Sequence, residues 1–196
     1  MAVDGYMFFK DYSDNFLESE SQVEVKPGKI PDPMYSTFKF SDAQGKKGLF
    51  EVEDFSFDIE QTLNIGSQST GAGAGKVTFN PFSINRKIDK ASPLLFRMAC
   101  AGTPFSDVRL GLRKSAGSDQ SGIIYLVFCF KLVACKTIAW SYDDESPKEA
   151  LTFEYGGLQV FYMNQKPDGT LDKQYAGGWN RVKNVRDDDA NSTLIK

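Results

Sequence analysis

Residues 123–142 have the sequence IIYLVFCFKLVACKTIAWSY, with only two charged side chains, Lys131 and Lys136. A run this rich in β-branched and aromatic residues favours a strand. Ordinary strands have about five or six residues. We therefore expect this twenty-residue segment to bend or break near Lys131 or Lys136. The apolar run Ile123–Phe130 is far shorter than the roughly 18 residues of a membrane-spanning helix.

Other segments with strand character lie on both sides of this one. They are Tyr6–Lys10, Leu49–Thr62, Lys76–Arg86, Asp107–Lys114 and Ala150–Gln165, with Tyr35–Ser41 as a weaker edge-strand candidate. Pro81 has no N–H for a sheet ladder, so its strand should lie at an edge or be bulged. The pattern predicts a mainly β fold, either a barrel or a sandwich, with one short α-helix. We expect a single domain over residues 1–196, in which 11–48 form a long loop or edge-hairpin insertion and 187–196 a flexible tail.

The helix is predicted between Ser92 and Gly102. Ser92 suits the N-cap position, Pro93 suits the first helical position, and Gly102 suits the left-handed residue that ends a helix. At 100° per residue the apolar side chains point in two directions, so the helix should be covered on more than one side. The first side comprises Leu94, Leu95 and Met98, and the second comprises Phe96 and Cys100. The second side is a candidate subunit contact.

Within the segment Leu49–Thr62 the alternation of apolar and polar residues shifts by one position. Phe50 and Val52 share one parity, whereas the large apolar residues that follow share the other, which requires a bulge or bend near Glu53 and Asp54. The residues expected to face the core are Phe55, Phe57 and Ile59, and the opposite, polar face carries Asp54, Ser56 and Asp58. Carboxylates on one strand face at i and i+4 lie about 13 Å apart, too far for a glycosidase pair.

The composition excludes several kinds of chemistry. The chain has no histidine, a net charge of −3 and three cysteines without a CxxC pair. Histidine-based nucleophile systems and histidine-ligated zinc are therefore absent, and general nucleic-acid binding is disfavoured. The acidic runs 143–145 and 187–189 do not match a calcium loop and indicate a solvated loop and a tail. We expect no enzyme activity, no cofactor and no metal.

The sequence GAGAGK at residues 71–76 superficially suggests a phosphate loop. The motif should open with glycine at position 70 and continue with Ser or Thr at position 77, but Thr70 and Val77 stand there. The following segment also has strand character, whereas a phosphate loop opens a helix. We therefore expect no nucleotide binding. Asn64–Gly75 is predicted to be a flexible loop that serves subunit or ring contact, and its candidate contact residues are Gly71, Gly73 and Gly75.

Several of these segments occur together in a characteristic order. They are MAVDGYMFFKD at 1–11, FSF at 55–57, GAGAGKV at 71–77, IDKASP at 88–93, DVRLGLR at 107–113, QKPDG at 165–169, GWN at 178–180 and NV at 184–185. In this order they resemble the haemolysin-coregulated protein (Hcp) family, the tube proteins of bacterial type VI secretion systems. IDKASP, with the Gly-rich loop and the final GWN, is the most specific part. The resemblance covers roughly residues 49–186 and the first ten, and 11–48 are longer than the family's usual link.

The resemblance implies a compact β-barrel of two sheets with one short flanking α-helix. It also implies that the chain is a structural subunit that forms hexameric rings. The rings would stack into a tube inside a contractile sheath and be expelled with small effector proteins bound in the lumen. The implied partners are other copies of the chain, the sheath and spike components, and the effectors. In this ring Asp54, Ser56 and Asp58 would face the lumen. The N-terminus lacks the basic region of a Sec-type signal, so a cytoplasmic protein exported by a signal-peptide-independent machine is expected, with no membrane span.

Two alternatives remain open at this point. The chain could be a small-ligand-binding β-barrel of the lipocalin or avidin type, which would need an apolar pocket inside the monomer and no ring. It could also be an accessory Hcp-like paralogue rather than the tube subunit.

Overall fold

The strands form one nine-stranded sheet and one two-stranded sheet in the computed structural model, which describes residues 3–21, 23, 38, 48–63, 74–114, 122–142, 146–166, 171–192 and 194. In chain order the elements are β1 (Val3–Lys10), β2 (Phe50–Val52), β3 (Asp54–Ser56), β4 (Ile59–Leu63), β5 (Ala74–Phe79), β6 (Phe82–Lys87), α1 (Ser92–Ala101), β7 (Phe105–Lys114), β8 (Ile123–Tyr142), β9 (Pro147–Gln165), β10 (Leu171–Asn180) and β11 (Val185–Arg186).

The large sheet is antiparallel and has the order β11-β10-β9-β8-β7-β1-β2. The first half of β9 also pairs with β6, and β6 pairs with β3. The mainly β fold is thus confirmed, and the described residues form two sheets and one short helix. Within the described residues the path of the large sheet ends at β11 and β2 without joining, so the sheet is not closed.

Strand β8 bends where its length requires it. Leu132 has a positive φ of 50°, and the register with β9 shifts between Cys135 and Thr137. Both positions adjoin the lysines at which the bend was expected, so that prediction is confirmed. Because β8 bends at these two positions, one continuous strand can take part in both halves of the large sheet.

Two apolar clusters lie on the two faces of the large sheet. The first is built on stacked rings, with the ring centroid of Phe82 4.1 Å from that of Phe130 and 4.9 Å from that of Phe153. The second contains Phe8 and buried residues from the 11–48 segment. Side chains from β6, β8 and β9 pack together in the first cluster.

The 11–48 insertion contributes to the second cluster through the residues that the structure describes. Phe16 and Phe38 are both buried against Phe8, at ring centroid distances of 5.2 and 5.4 Å. Gly111 makes room for Phe38, since a Cβ at position 111 would lie 2.8 Å from its ring. The prediction of an edge strand over Tyr35–Ser41 lies outside the described residues apart from Phe38, which is a turn residue.

The helix begins and ends close to the expected residues, with one correction. Ala91, not Ser92, occupies the N-cap position and makes no side-chain cap bond. The backbone N–H of Ala91 donates to Asp89 Oδ1 at 2.8 Å, and Ser92 Oγ accepts from the N–H of Asp89. The helix starts one residue earlier because this Asp89 turn organises its first residues. Gly102 ends it at φ 64° as predicted.

The chain breaks at both positions that the sequence indicated in its first half. Glu53 separates β2 from β3, and Asn80 with Pro81 separates β5 from β6. The two halves of Lys76–Arg86 therefore enter different sheets: β5 pairs with β4, and β6 pairs with β3 and β9.

The C-terminal segment is packed rather than free, which corrects the expectation of a flexible tail over 187–196 for the residues described there. Ala190 and Leu194 are buried, and Gly178 N donates to Asp188 Oδ1 at 2.8 Å. The segment crosses β9 and β10 where glycines leave space, because a Cβ at Gly178 would stand 2.0 Å from the Asp187 carbonyl oxygen. Strand β10 was not expected from its polar, Gly-containing sequence.

Candidate assembly surfaces

The polar face assigned to the lumen is exposed. Asp54, Ser56 and Asp58 are all accessible, while Phe55 and Phe57 are half-buried against Phe128. The structure thus brings the three polar residues to one outward side of β3 and the link that follows it.

The prediction is wrong for one residue of the expected core face. Ile59 was expected in the core but is 47% exposed. The reason is that β4 leaves the large sheet after Asp58 and, among the strands that the structure describes, pairs with β5 alone. Asp58 marks the departure, since its Oδ2 accepts from Asn80 Nδ2 at 2.6 Å. Side chains still alternate between the two faces of β4, but neither face belongs to the core that the preceding strand packs against.

The Gly-rich segment is only partly described. Gly71 and Gly73 lie outside the described residues, as does the rest of 64–73. Gly75 belongs to β5, and Ala74 pairs with Leu63, so the expected loop is shorter at its C-terminal end by two residues. Lys76 and Val77 continue β5, which agrees with the prediction that this sequence opens a strand rather than a phosphate-binding helix.

The outer side of α1 forms an aromatic patch with β8. Phe96 is 49% exposed and Trp140 is 53% exposed, with their ring centroids 5.7 Å apart. Cys100 is exposed on the same helix, four residues after Phe96. The opposite side packs inward, with Leu95 fully buried. We call Phe96 and Trp140 the helix patch. No local feature of the sequence indicates Trp140, because the bends in β8 decide which of its side chains meets the helix.

A groove of about 1030 Å³ separates the β4–β5 hairpin from the large sheet. Phe79 lines it from the hairpin, while Leu158, Val160 and Trp179 line it from the sheet. Arg181 lies over Phe79, with its guanidinium carbon 5.2 Å from the ring centroid. Leu158 belongs to the first apolar cluster, and Phe79 and Val160 pack against that cluster, so the groove lies beside the core.

Three buried charges hold the C-terminal segment to the sheet. Asp107 Oδ2 lies 2.6 Å from Arg109 Nη2 and 2.9 Å from Lys131 Nζ. Arg109 Nη2 also donates to the Ala190 carbonyl oxygen at 3.1 Å. Burial raises the pKa of Asp107, but the hydrogen bond and charge of Arg109, with those of Lys131, outweigh it and lower that pKa overall. This cluster has no local signal in the sequence, because alternation alone does not show which lysine or arginine faces inward.

No catalytic centre is assembled among these residues. Burial raises the pKa of the Cys129 thiol to about 12 and that of Cys135 to about 11, which leaves both as thiols at neutral pH. Within the described ranges, no three Cys, Asp or Glu residues group closely enough to hold a metal ion. The helix in this part of the chain is also too short to cross a membrane.

Known proteins share both the sequence pattern and the fold. A family model described as "Type VI secretion system effector, Hcp" matches residues 41–162. Protein hcp1 of Pseudomonas aeruginosa is 33% identical over 114 residues, 57% of this chain and 69% of that protein. A solved type six secretion system protein has a TM-score of 0.73 at 19% identity, covering 95% of this chain and 100% of that one. For Hcp1 of Salmonella typhimurium the values are 0.65 and 19%, covering 95% and 99%.

These matches define a component of a type VI secretion system. The chain belongs to the Hcp family, and the resemblance carried by IDKASP and the flanking motifs is confirmed. The distant structures support the fold, and the family match and the curated relative support the membership. Hcp is a family of structural secretion proteins rather than of enzymes.

Proposed function

We propose that this chain is a subunit of the type VI secretion inner tube, assembling into hexameric rings that stack and carry small effectors. The observation that carries the proposal is the helix patch, together with family membership. Exposed apolar surface of this kind marks contact sites. The remaining partners are the sheath and spike components, and the expected path leads from the cytoplasm to the exterior without a signal peptide.

The helix patch is the proposed lateral contact between neighbouring subunits. Two aromatic side chains, each about half exposed, present large apolar area with little conformational freedom to lose. Cys100 extends the same helix face and is a small apolar side chain in this role. The inner face of α1 already packs against the core, so a neighbouring subunit would contact only the outer face.

The polar face is the proposed lumen wall. Burying Asp54 and Asp58 in a tight subunit contact would be costly without cationic partners. An outward face of two carboxylates and a hydroxyl suits either solvent or a wet lumen, and the ring geometry of the family favours the lumen. The segment 64–75, with Gly71, Gly73 and Gly75, is the proposed contact between rings or subunits, since small residues bury little within one chain.

Light scattering coupled to size exclusion tests the proposal. Six copies of the 21.8 kDa chain give about 131 kDa, and this mass is expected across a dilution series. A protein that remains monomeric at every concentration contradicts the proposal and favours the ligand-binding alternative. Rings that form but fail to join tubes with sheath components support an accessory paralogue.

A further inference from the structure

Three side chains form a row across adjacent strands beneath α1. Arg86 of β6 pairs directly with Glu149 of β9, and Glu149 pairs on its other side with Trp140 of β8. Directly paired residues of antiparallel strands point to the same side of a sheet, and we call these three the Arg–Glu–Trp row. The row faces the first apolar cluster, because Ile84 and Leu151, two residues away on the same strands, belong to that cluster.

Helix α1 contacts both ends of this row. Arg86 Nη2 donates to Ser92 Oγ at 3.4 Å, and the ring centroid of Phe96 lies 5.7 Å from that of Trp140. Residues four apart lie on one face of a helix, so a single face of α1 spans the row from end to end. Glu149 stands between the two contacts. The position of the helix patch therefore depends on what holds Arg86 at the start of α1.

The middle residue of the row is buried without a partner. Glu149 is 1% exposed, and neither of its carboxylate oxygens has a hydrogen-bond partner among the described residues. Arg86 is 2% exposed, and its Nη1 also has no partner in this part of the chain. A buried charge without a partner is strongly destabilising. Directly paired residues have their Cβ atoms about 5 Å apart, so the guanidinium across the strands is a partner that Glu149 can reach.

Arg86 is instead bound to a second carboxylate. Its Nη2 donates to Asp89 Oδ1, and its guanidinium carbon lies 4.6 Å from the ring centroid of Phe50. Asp89 Oδ1 also accepts from the N–H of Ala91, the N-cap residue of α1, at 2.8 Å. The pair of Arg86 and Asp89 thus holds the turn from which the helix starts. Arg86 has two carboxylates to choose from, of which Asp89 is bound and Glu149 is not.

The first part of the 11–48 insertion contacts the same turn. The N–H of Glu20 donates to Asp89 Oδ2 at 3.4 Å, and Glu20 Oε1 accepts from the N–H of Lys90 at 3.0 Å. Glu18 Oε2 lies 3.6 Å from Lys90 Nζ. These contacts hold the turn where Asp89 meets Arg86, so the insertion favours the arrangement in which these two are bound.

We propose that Arg86 is a positioning residue with two alternative carboxylate partners, and that its choice controls the contact between subunits. Bound to Asp89, it holds the start of α1 and keeps Phe96 over Trp140. Bound to Glu149, it releases the start of α1 and separates the two rings of the helix patch. The insertion biases the choice toward Asp89 and hence toward assembly. This inference rests on the proposed function, because the helix patch is the proposed lateral contact.

Substitutions at the two carboxylates should act in opposite directions. Asp89→Asn keeps a hydrogen-bond acceptor for the helix start but removes the charge, so Arg86 should move to Glu149. The concentration at half-assembly, measured by light scattering, should then rise about tenfold. Glu149→Gln should lower this concentration because it removes the competing partner, and D89N/E149Q should assemble close to the wild type. The control is Asp172→Asn, at a carboxylate of β10 that also accepts from a following N–H, and it should assemble as the wild type does.

A second measurement follows the helix patch in single chains. The sequence has two tryptophans, so in a W179F background Trp140 is the only one, and acrylamide quenching of its fluorescence reports whether Phe96 covers it. In dilute solution, quenching should rise with D89N, fall with E149Q and return to the wild-type value in the double variant. Rescue of D89N by E149Q is the result that a merely structural role of Asp89 would not give.

The outcomes separate this inference from the ring proposal. A double variant that assembles no better than D89N, or an E149Q protein whose Trp140 is quenched as in the wild type, would overturn the two-partner role of Arg86 while leaving the rings intact. If D89N does not fold, the quenching of E149Q alone decides. A wild type that stays monomeric overturns the proposed function, and the quenching series then still shows whether Arg86 exchanges partners.

Discussion

Leu194 lies against Gly157, and a Cβ on that glycine would stand 3.1 Å from Leu194 Cδ1. The neighbouring Gly156 leaves a similar space, so bare backbone on β9 receives the side chain of a residue near the C-terminus. This contact holds the segment from Asp187 onward against the sheet, together with the bond from Arg109 to Ala190.

Leu194→Ala should lower the free energy of unfolding by about 2 kcal/mol, since it removes a buried side chain from a fitted site. Chemical denaturation monitored by tryptophan fluorescence measures the change. Asn191→Ala, at an exposed position of the same segment, is the control and should change stability by less than about 0.5 kcal/mol. Equal effects of the two variants would show that the segment does not depend on this contact.

Asp107→Asn should destabilise the protein by about 3 kcal/mol, because it leaves Arg109 and Lys131 buried without their carboxylate. The folded-state pKa of Asp107 is lowered, so its stabilising contribution is present above the unfolded pKa of about 3.9 and is lost as pH falls toward the folded value. The wild type should therefore lose stability below about pH 4, and the variant should lack this part of the dependence.

The control for that series is Glu154→Gln, at a partly exposed carboxylate 3.1 Å from Lys136 Nζ. It should cost less than about 1 kcal/mol. A D107N protein as stable as E154Q at pH 7 would mean that the buried cluster does not hold the C-terminal segment.

Phe96→Asp should abolish ring formation and leave the monomer folded, because the side chain is half exposed and the helix keeps its inner face. The measurement combines mass by light scattering with the thermal midpoint of the monomer. Val182→Asp, at another exposed apolar position, is the control and should form rings normally. Rings that persist with F96D would remove the helix patch from the interface.

Ser56→Gln should leave rings intact and reduce retention and export of effectors, since a longer side chain would crowd the proposed lumen wall. A cysteine introduced by Ser56→Cys in a C100S background should react with a small thiol reagent but not with one larger than the pore. Equal reaction with both reagents would place Ser56 on the outer wall.

The sequence predicted features that depend on local chemistry. Pro81 cannot continue a ladder, Gly102 suits a left-handed φ, and twenty residues exceed one straight strand, so the breaks and the bend could be anticipated. The exposure of Ile59 could not be anticipated, because alternation shows which residues share a strand face but not that β4 leaves the large sheet. Strand β10 was missed because its residues carry little β propensity and gain order from pairing with β9.

The same distinction between local and long-range features applies to the candidate site. The exposed polar row at Asp54, Ser56 and Asp58 follows from alternation beside Phe55 and Phe57. The pairing of Phe96 with Trp140, and the Arg–Glu–Trp row, depend on bends and register between distant segments. A single chain's sequence contains no local signal for such long-range contacts.

Native mass spectrometry of the wild type tests the central claim most directly, because it counts the chains in one assembly. The account predicts a dominant species of six chains, about 131 kDa. A spectrum containing only the 21.8 kDa chain, or a dominant assembly of another number of chains, would contradict it.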